Sequence, residues 1–427
     1  MPRTAGKVFT SLLIAGLAGW VAFLNLSRLH HRALWAGYVA AVHKDDEAAI
    51  RILLARGLDL NRPAAWKTDG GGWTALTLAA DQDRPRALRL LLAHGADPDA
   101  RDGYGSVALT VAAGNGYLDC ARALLDHGAH VNAADPQGRT ALYWAARAGD
   151  AAIVSLLLER GADVRAQSLH HETALIRGAH YAAVTKLLLD HGAEARALDD
   201  YGYTPLLLAA DAGDVQGIRW LLDRGAEINL HGRFGYTALI AAAQSGQMQA
   251  VRCLLARGAA LEAQNDLQET PLCITIRNQH PEVAAFLLGQ GAQAAPPTAS
   301  PTWTPLMWAT YCDYPDLVRA LIQKGAPLDA RNRDGKTALI IAVELGRDDI
   351  ATTLIAHGAG VNAHIFGGRT VLQFAIYRNK AAIVADLIAH GADVNAPGDR
   401  NGTPLHTAQV MKNPQIVALL KKAGAKD

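Results

Sequence analysis

The 427-residue sequence is poor in most of what usually announces chemistry. It has four cysteines, at 120, 253, 273 and 312, in four different sequence contexts. That excludes a disulfide framework and leaves them as small apolar residues for a buried site. Forty-one basic side chains face forty acidic ones, for a net charge of +1. Without an excess of positive charge there is no electrostatic case for nucleic-acid binding. No Gly-x-Ser-x-Gly elbow, complete Gly-x-x-x-x-Gly-Lys-Ser/Thr phosphate loop, His-Glu-x-x-His or Cys-x-x-Cys pair occurs. Fragments such as Asp199-Asp200-Tyr201-Gly202 and Arg333-Asp334-Gly335 lack calcium-loop spacing and read as ordinary turns. The adjacent pairs His30-His31 and His170-His171 have no cysteine or carboxylate at ligand spacing. No catalytic residue, cofactor or metal is therefore assigned, and the chain reads as a non-enzyme. Aromatics make up only 6% of the residues, so where they gather calls for a reason.

Long apolar runs are scarce too, with one exception. After a tail at 1–7, residues 8–26 are uncharged, flanked by Arg3 and Lys7 before and Arg28 and Arg32 after. Nineteen residues in a helix reach about 28 Å, close to the hydrocarbon thickness of a bilayer. The run is an uncleaved membrane anchor or a secretory signal cut near Ala18. Its length and the arginines that follow favour the anchor. A secretory signal, or an anchor with its tail inside, places the rest of the chain in the periplasm or otherwise outside the cytosol.

What the sequence has in abundance is repetition. Threonines stand at 74, 140, 173, 204, 237, 270, 304, 337, 370 and 403, nearly all 33 residues apart, with Val107 in the one missing place. Glycines stand at 57, 95, 128, 161, 192, 225, 258, 291, 325, 358, 391 and 424, each followed by alanine except the first, where Leu58 follows. Tyr201–Asn229 shows the unit. Thr204 can cap a helix that Pro205 opens without losing a hydrogen bond. Leu206, Ala209 and Ala210 line one face of it, and Ile218, Leu221 and Leu222 stripe a second helix. Gly225 ends that helix in the left-handed conformation. The five histidines at 94, 127, 191, 357 and 390 each precede the closing glycine, where an imidazole can bond the last helical carbonyls.

A 33-residue period of turn and two helices resembles the ankyrin repeat, whose Thr-Pro-Leu-His-x-Ala signature stands whole at Thr403–Ala408. Thr-Pro-Leu also opens the units at 204, 270 and 304, and Thr-Ala-Leu those at 74, 140, 173, 237 and 337. The resemblance implies an all-α solenoid of about 12 helix-turn-helix repeats with hairpin-like fingers, whose stability comes from contacts between neighbours. Residues 34–61 read as a degenerate capping repeat and 70–427 as the repeats proper. The unit opening at Thr173 is two residues short, which predicts a tighter reversal, and three prolines at 295–301 mark a stiff seam.

For function, the resemblance implies a protein partner and no reaction, with the chain expected to be monomeric. In this family the fingers and the exposed side of the first helices form a concave recognition face. Mapped here, the finger positions carry Trp73, Tyr104, Tyr201, Tyr203, Phe234, Tyr236, Trp303 and Phe366, and seven residues after their threonines stand Tyr311 and Tyr377. These are the candidate partner-binding residues, since Tyr and Trp dominate hot spots; the competing reading is that they pack on neighbouring fingers and stiffen the row. Trp144 and Trp308, four residues after their threonines, are expected to fill the core between repeats. A dedicated inhibitor or stabiliser of one partner enzyme is the other function open to such a scaffold.

Overall fold

A computed structural model of the chain describes residues 30, 32–63, 72–295, 303–365, 368–397 and 402–426. The run at 8–26, the tip of the first long finger, most of the proline seam and Phe366 lie outside the described residues. Among the described residues the chain is helical throughout, from a helix at 32–43 to one at Pro414–Lys422, with no strand. The expected hairpin-like fingers are turns, closed at three of them by a single antiparallel bridge: Ala134 with Thr140, Gln167 with Thr173 and His364 with Thr370. No helix among the described residues is long and apolar enough to cross a membrane.

The chain divides into two compact units, residues 1–205 with 223–225 and residues 206–222 with 226–427. In both, the opening threonine does what its side chain suggests. Thr140, for example, accepts the N–H of Tyr143 at 3.3 Å and Thr304 that of Met307 at 3.2 Å. Val107 has no side-chain cap to offer and its helix starts without one. All five imidazoles before a closing glycine bond the carbonyl four residues back at 2.8 Å through Nδ1. The glycine that follows takes the left-handed conformation, as at Gly225 with φ +88°.

Cohesion comes from small-residue helix faces. In the unit opening at Thr140, Ala141, Leu142, Ala145 and Ala146 are buried to within about 1%. Alanine there lets the next first helix approach closely, while leucines of the second helices, such as Leu157 and Leu188, close the other side. Repeats are also stitched through the residue four after the closing glycine. Asn132 Oδ1 accepts the N–H of Asp163 at 2.8 Å, and Asn362 accepts that of Asp393 at 2.8 Å. The short repeat reverses early, with a first helix of only five residues, Ala174–Gly178.

At the start of the first unit the helix at 32–43 pairs with Glu47–Ala55 and docks on the repeat after it. The Tyr38 hydroxyl, fully buried, donates to the carbonyl of Ala75 at 2.7 Å, and Arg84 Nε donates to that of Val42 at 3.0 Å. In the second unit, helices on either side of the proline seam pack together, Pro271–Arg277 on Pro305–Tyr311 and Pro281–Gly289 on Pro315–Gln323. Of the cysteines, Cys120 and Cys273 are buried as expected; Cys253 and Cys312 are only half-buried, each near a helix end. Burial, with Asp83 beside it, pushes the Cys120 thiol up to about 12.

Candidate functional site

One polar side chain organises most of the described fingers, the exceptions being those where Gly232 and Ile365 hold its place. Asp102 Oδ1 accepts the N–H groups of Tyr104 and Ser106 at 2.9 and 2.8 Å. Asp199 Oδ1 does the same for Tyr201 and Tyr203 at 3.0 and 2.8 Å, and Asn332 for Asp334 and Lys336 at 3.0 and 2.9 Å. This closed turn fixes two positions. The tip, two residues after the acceptor, faces solvent; the base, four residues after it, immediately precedes the helix-capping threonine. Burial raises the carboxyls of Asp102 and Asp199 above the ordinary carboxylate range, against the pull of these N–H bonds. Asparagine at 265 and 332 fills the same role with no charge to bury.

The candidate aromatics divide along this line. Tyr104, Tyr201 and Phe234 are exposed tips, whereas Trp73, Tyr203, Tyr236 and Trp303 are half-buried bases. The sequence neighbours Tyr201 and Tyr203, like Phe234 and Tyr236, are therefore one tip and one base each. Tyr311 is exposed and Tyr377 half-buried, each near the end of its first helix. Phe234 is the most unusual tip: it is 63% exposed and has φ +57°. A bulky side chain rarely adopts that conformation, so the finger holds an exposed phenyl against a backbone cost of about 1–3 kcal/mol. Asp266 N–H donates to the Phe234 carbonyl at 3.0 Å and keeps it there. The histidine pair at 170–171 meets a carboxylate that its own spacing did not show, because Asp200 of the next finger lies 2.7 Å from His171 Nδ1. Among the described residues no three His, Cys, Asp or Glu side chains gather to hold a metal.

The bases do not stand alone. Six of them meet the residue four or seven places after the threonine on the first helix, one or two turns along the same side, and those at 303 and 369 meet both. In the first unit Arg139 lies 4.5 Å from the Trp144 ring, with Arg147 at 5.2 Å, and Arg139 Nε donates to Asp135 Oδ2 at 2.8 Å. A hollow of about 250 Å³ opens beside them, walled by Asp81, Thr110, Gly114, Asn115 and Trp144. In the next repeat Glu172, buried, accepts from Ser168 Oγ at 2.9 Å, from the Tyr143 hydroxyl at 3.3 Å and from Arg177 Nη2. Arg177 also reaches Asp199 at 3.4 Å and lies 5.9 Å from the Tyr203 ring. In the second unit Glu269 pairs with Arg277 at 3.0 Å and Lys336 with Glu344 at 2.6 Å. Arg369 lies over Phe374 and Tyr377 at 5.4 and 4.9 Å. Trp303 meets Trp308 at 4.5 Å and Tyr311 at 5.4 Å.

Trp144 and Trp308 are thus corrected: neither fills the core between repeats, and both stand half-exposed in this row. The inter-repeat contact uses positions one, two, five and six after the threonine, where Ala, Leu, Ala and Ala leave no room for an indole. The row was legible as a fixed spacing of base, plus four and plus seven, but only after one knows that these three share a side. Without that, Arg139, Arg147, Glu172 and Arg177 read as scattered surface charges.

Burial would raise the Glu172 carboxyl, but Ser168, Arg177 and Tyr143 more than offset this and hold it below its usual range. A lowered carboxyl contributes stability that is present above the unfolded-state pKa and lost as pH falls through the folded one. Asp102 and Asp199, raised, act oppositely, their contribution fading as pH rises. Glu172→Gln should therefore destabilise the first unit at neutral pH by about 2–3 kcal/mol. That is less than loss of one partner from a fully buried pair, because Arg177 keeps Asp199 and its side chain is 23% exposed. It should also flatten the loss of stability below about pH 4. Urea titrations of both proteins across pH 2–8 would show it; parallel acid limbs would remove Glu172 from the account.

The geometry of capped first helix, tight reversal, second helix and finger, repeated through both units, agrees with comparison to known families. A model described as "Ankyrin repeats (3 copies)" matches residues 97–168, 165–232, 225–297 and 294–365. The model of a single ankyrin repeat matches 71–103 and 367–399. A search of curated proteins found no match to the chain. Ankyrin repeats serve generally as protein-interaction modules rather than as catalysts. With more than half its length matched and its threonine caps and glycine closures in place, the chain belongs to the ankyrin repeat family.

Proposed function

We propose that the chain is a non-enzymatic scaffold that grips a partner protein through its finger tips and the base row beside them, while residues 8–26 hold it at a membrane. One observation carries the gripping surface. Phe234 is kept exposed in a conformation that costs free energy, which packing for its own sake does not explain. Tyr104, Tyr201 and Leu267 add exposed apolar tips of the same kind. Such side chains bring much contact area for little rotamer entropy. Membrane attachment is supported by the uncharged run between basic residues. Two basic side chains stand on each side of it, and the α-amino group tips this even balance toward a tail inside and repeats outside the cytosol, where a cleaved signal would also leave them.

Tandem purification of the full chain from native membranes tests the first part. Phe234→Ala with Tyr236→Ala should weaken recovery of the co-purifying partner at least about tenfold. Both residues are partly exposed, so the melting temperature should move by less than about 4 °C. Full recovery with the double variant would overturn the surface. A reporter fused after Asp427 tests the second part, and activity confined to the cytosol would reverse the assigned side.

A further inference from the structure

The base row shows what this chain places against its own rings. Where a ring stands four residues after the threonine, at Trp144 and Phe374, the base is an arginine whose guanidinium lies 4.5 or 5.4 Å from it. The repeat opening at Thr304 breaks the pattern. Its base is Trp303, tilted 30° against Trp308, and Tyr311 stands edge-on to both at 5.4 and 6.1 Å. No arginine or lysine of the described chain lies over these three rings.

The two indoles border a cleft of about 380 Å³, lined by Leu267, Glu269, Trp303, Trp308, Asn332 and the neighbouring Arg333 and Asp334. Its polar groups lean toward a cation with an attached amide. Glu269 is held through Oε2 alone, by Asn265 Nδ2 and Arg277 Nη2, each at 3.0 Å. Asp334 is exposed at the finger tip and is in no ion pair among the described residues. Arg333 is the single basic group at the rim. Asn332 is 3% exposed, yet its Nδ2 meets no acceptor, because Lys336 stands where Glu269 receives the equivalent Asn265 amide.

We infer that this cleft receives an arginine or lysine side chain of the partner's polypeptide, seated against Trp303 and Trp308 where other repeats supply their own arginine. The inference rests on the proposed protein-binding surface and names the chemistry it recognises. Tryptophan faces attract cations most strongly among the aromatic side chains, and more so once water is displaced. Asp334 supplies the balancing negative charge, Glu269 offers Oε1 as a further acceptor beside its Arg277 partner, and the Asn332 amide is the donor for a backbone carbonyl of the same segment.

The test is selection of linear twelve-residue peptides displayed on phage against the full chain. Peptides enriched on the wild type should carry an arginine or lysine, and its replacement by norleucine should weaken binding about tenfold or more. Trp308→Ala should do the same. Trp303→Arg is the second variant: it restores the base found at 139 and 369, so it should fold, occupy the cleft with an internal guanidinium, and block the same peptides. Peptides anchored by apolar residues, or indifferent to Trp303→Arg, would overturn the cation assignment. If those peptides still depend on Phe234, the finger surface stands without it. No enrichment on the wild type would count against both.

Discussion

Leu188→Ala should remove about 2–5 kcal/mol from the first unit, among the largest losses any single substitution here should cause. Leu188 is fully buried in the helix Ala182–Asp190, which packs on Ala151–Glu159 and on the five-residue helix Ala174–Gly178. The cost combines lost transfer free energy with a cavity that the short repeat is poorly placed to close, since its first helix has five residues where those before and after it in the chain have eight. Hydrogen exchange reads the outcome better than a melting temperature. In a stack of repeats bound only to neighbours, amides of Ala151–Asp190 should lose protection while those near Tyr38 keep theirs. An equal rise in exchange over every described helix would mean that the chain unfolds as one body.

Gly235→Ala should produce the other large effect, at the finger that carries Phe234. The backbone there has φ +71°, and an added Cβ would meet the Asp266 amide nitrogen at 2.7 Å and its Oδ1 at 2.5 Å. Left-handed conformation alone costs an alanine about 1–2 kcal/mol. The clash is with main chain, which cannot rotate away, so the total should exceed about 2 kcal/mol. Gly258→Ala is the control, with φ +89° and nothing within 4 Å, so that only the conformational cost remains. The contrast also has a functional side. Asp266 N–H secures the Phe234 carbonyl, so Gly235→Ala should reduce partner recovery as Phe234→Ala does, whereas Gly258→Ala should leave it unchanged. Equal stability of the two variants, by urea unfolding, would contradict the contact.

Much of this protein was readable in one dimension because ankyrin repeats are local objects. A threonine three residues before an amide it can cap, a histidine four residues after a carbonyl, and a glycine where the chain must turn left all act within one helical turn. Spacing in sequence is then spacing in space, and Thr140, His127 and Gly225 behave as their neighbours require. The finger aromatics were legible for the same reason, since Tyr104 and Phe234 are placed by turns of four residues.

Sequence alone therefore determined the repeat, its register, the capped helices and the short unit at Thr173. Tertiary structure alone decided which side chains from successive turns and successive repeats share a face. It moved Trp144 and Trp308 from the core to the open row, because paired alanines had already taken the space between helices. It joined Glu172 to Tyr143 and Arg177 to Asp199 across 29 and 22 residues, pairings that no local spacing encodes. Among the described residues it also left Trp303, Trp308 and Tyr311 with no arginine or lysine over them. That depends on what neighbouring fingers fail to bring, and only the packed chain can show it.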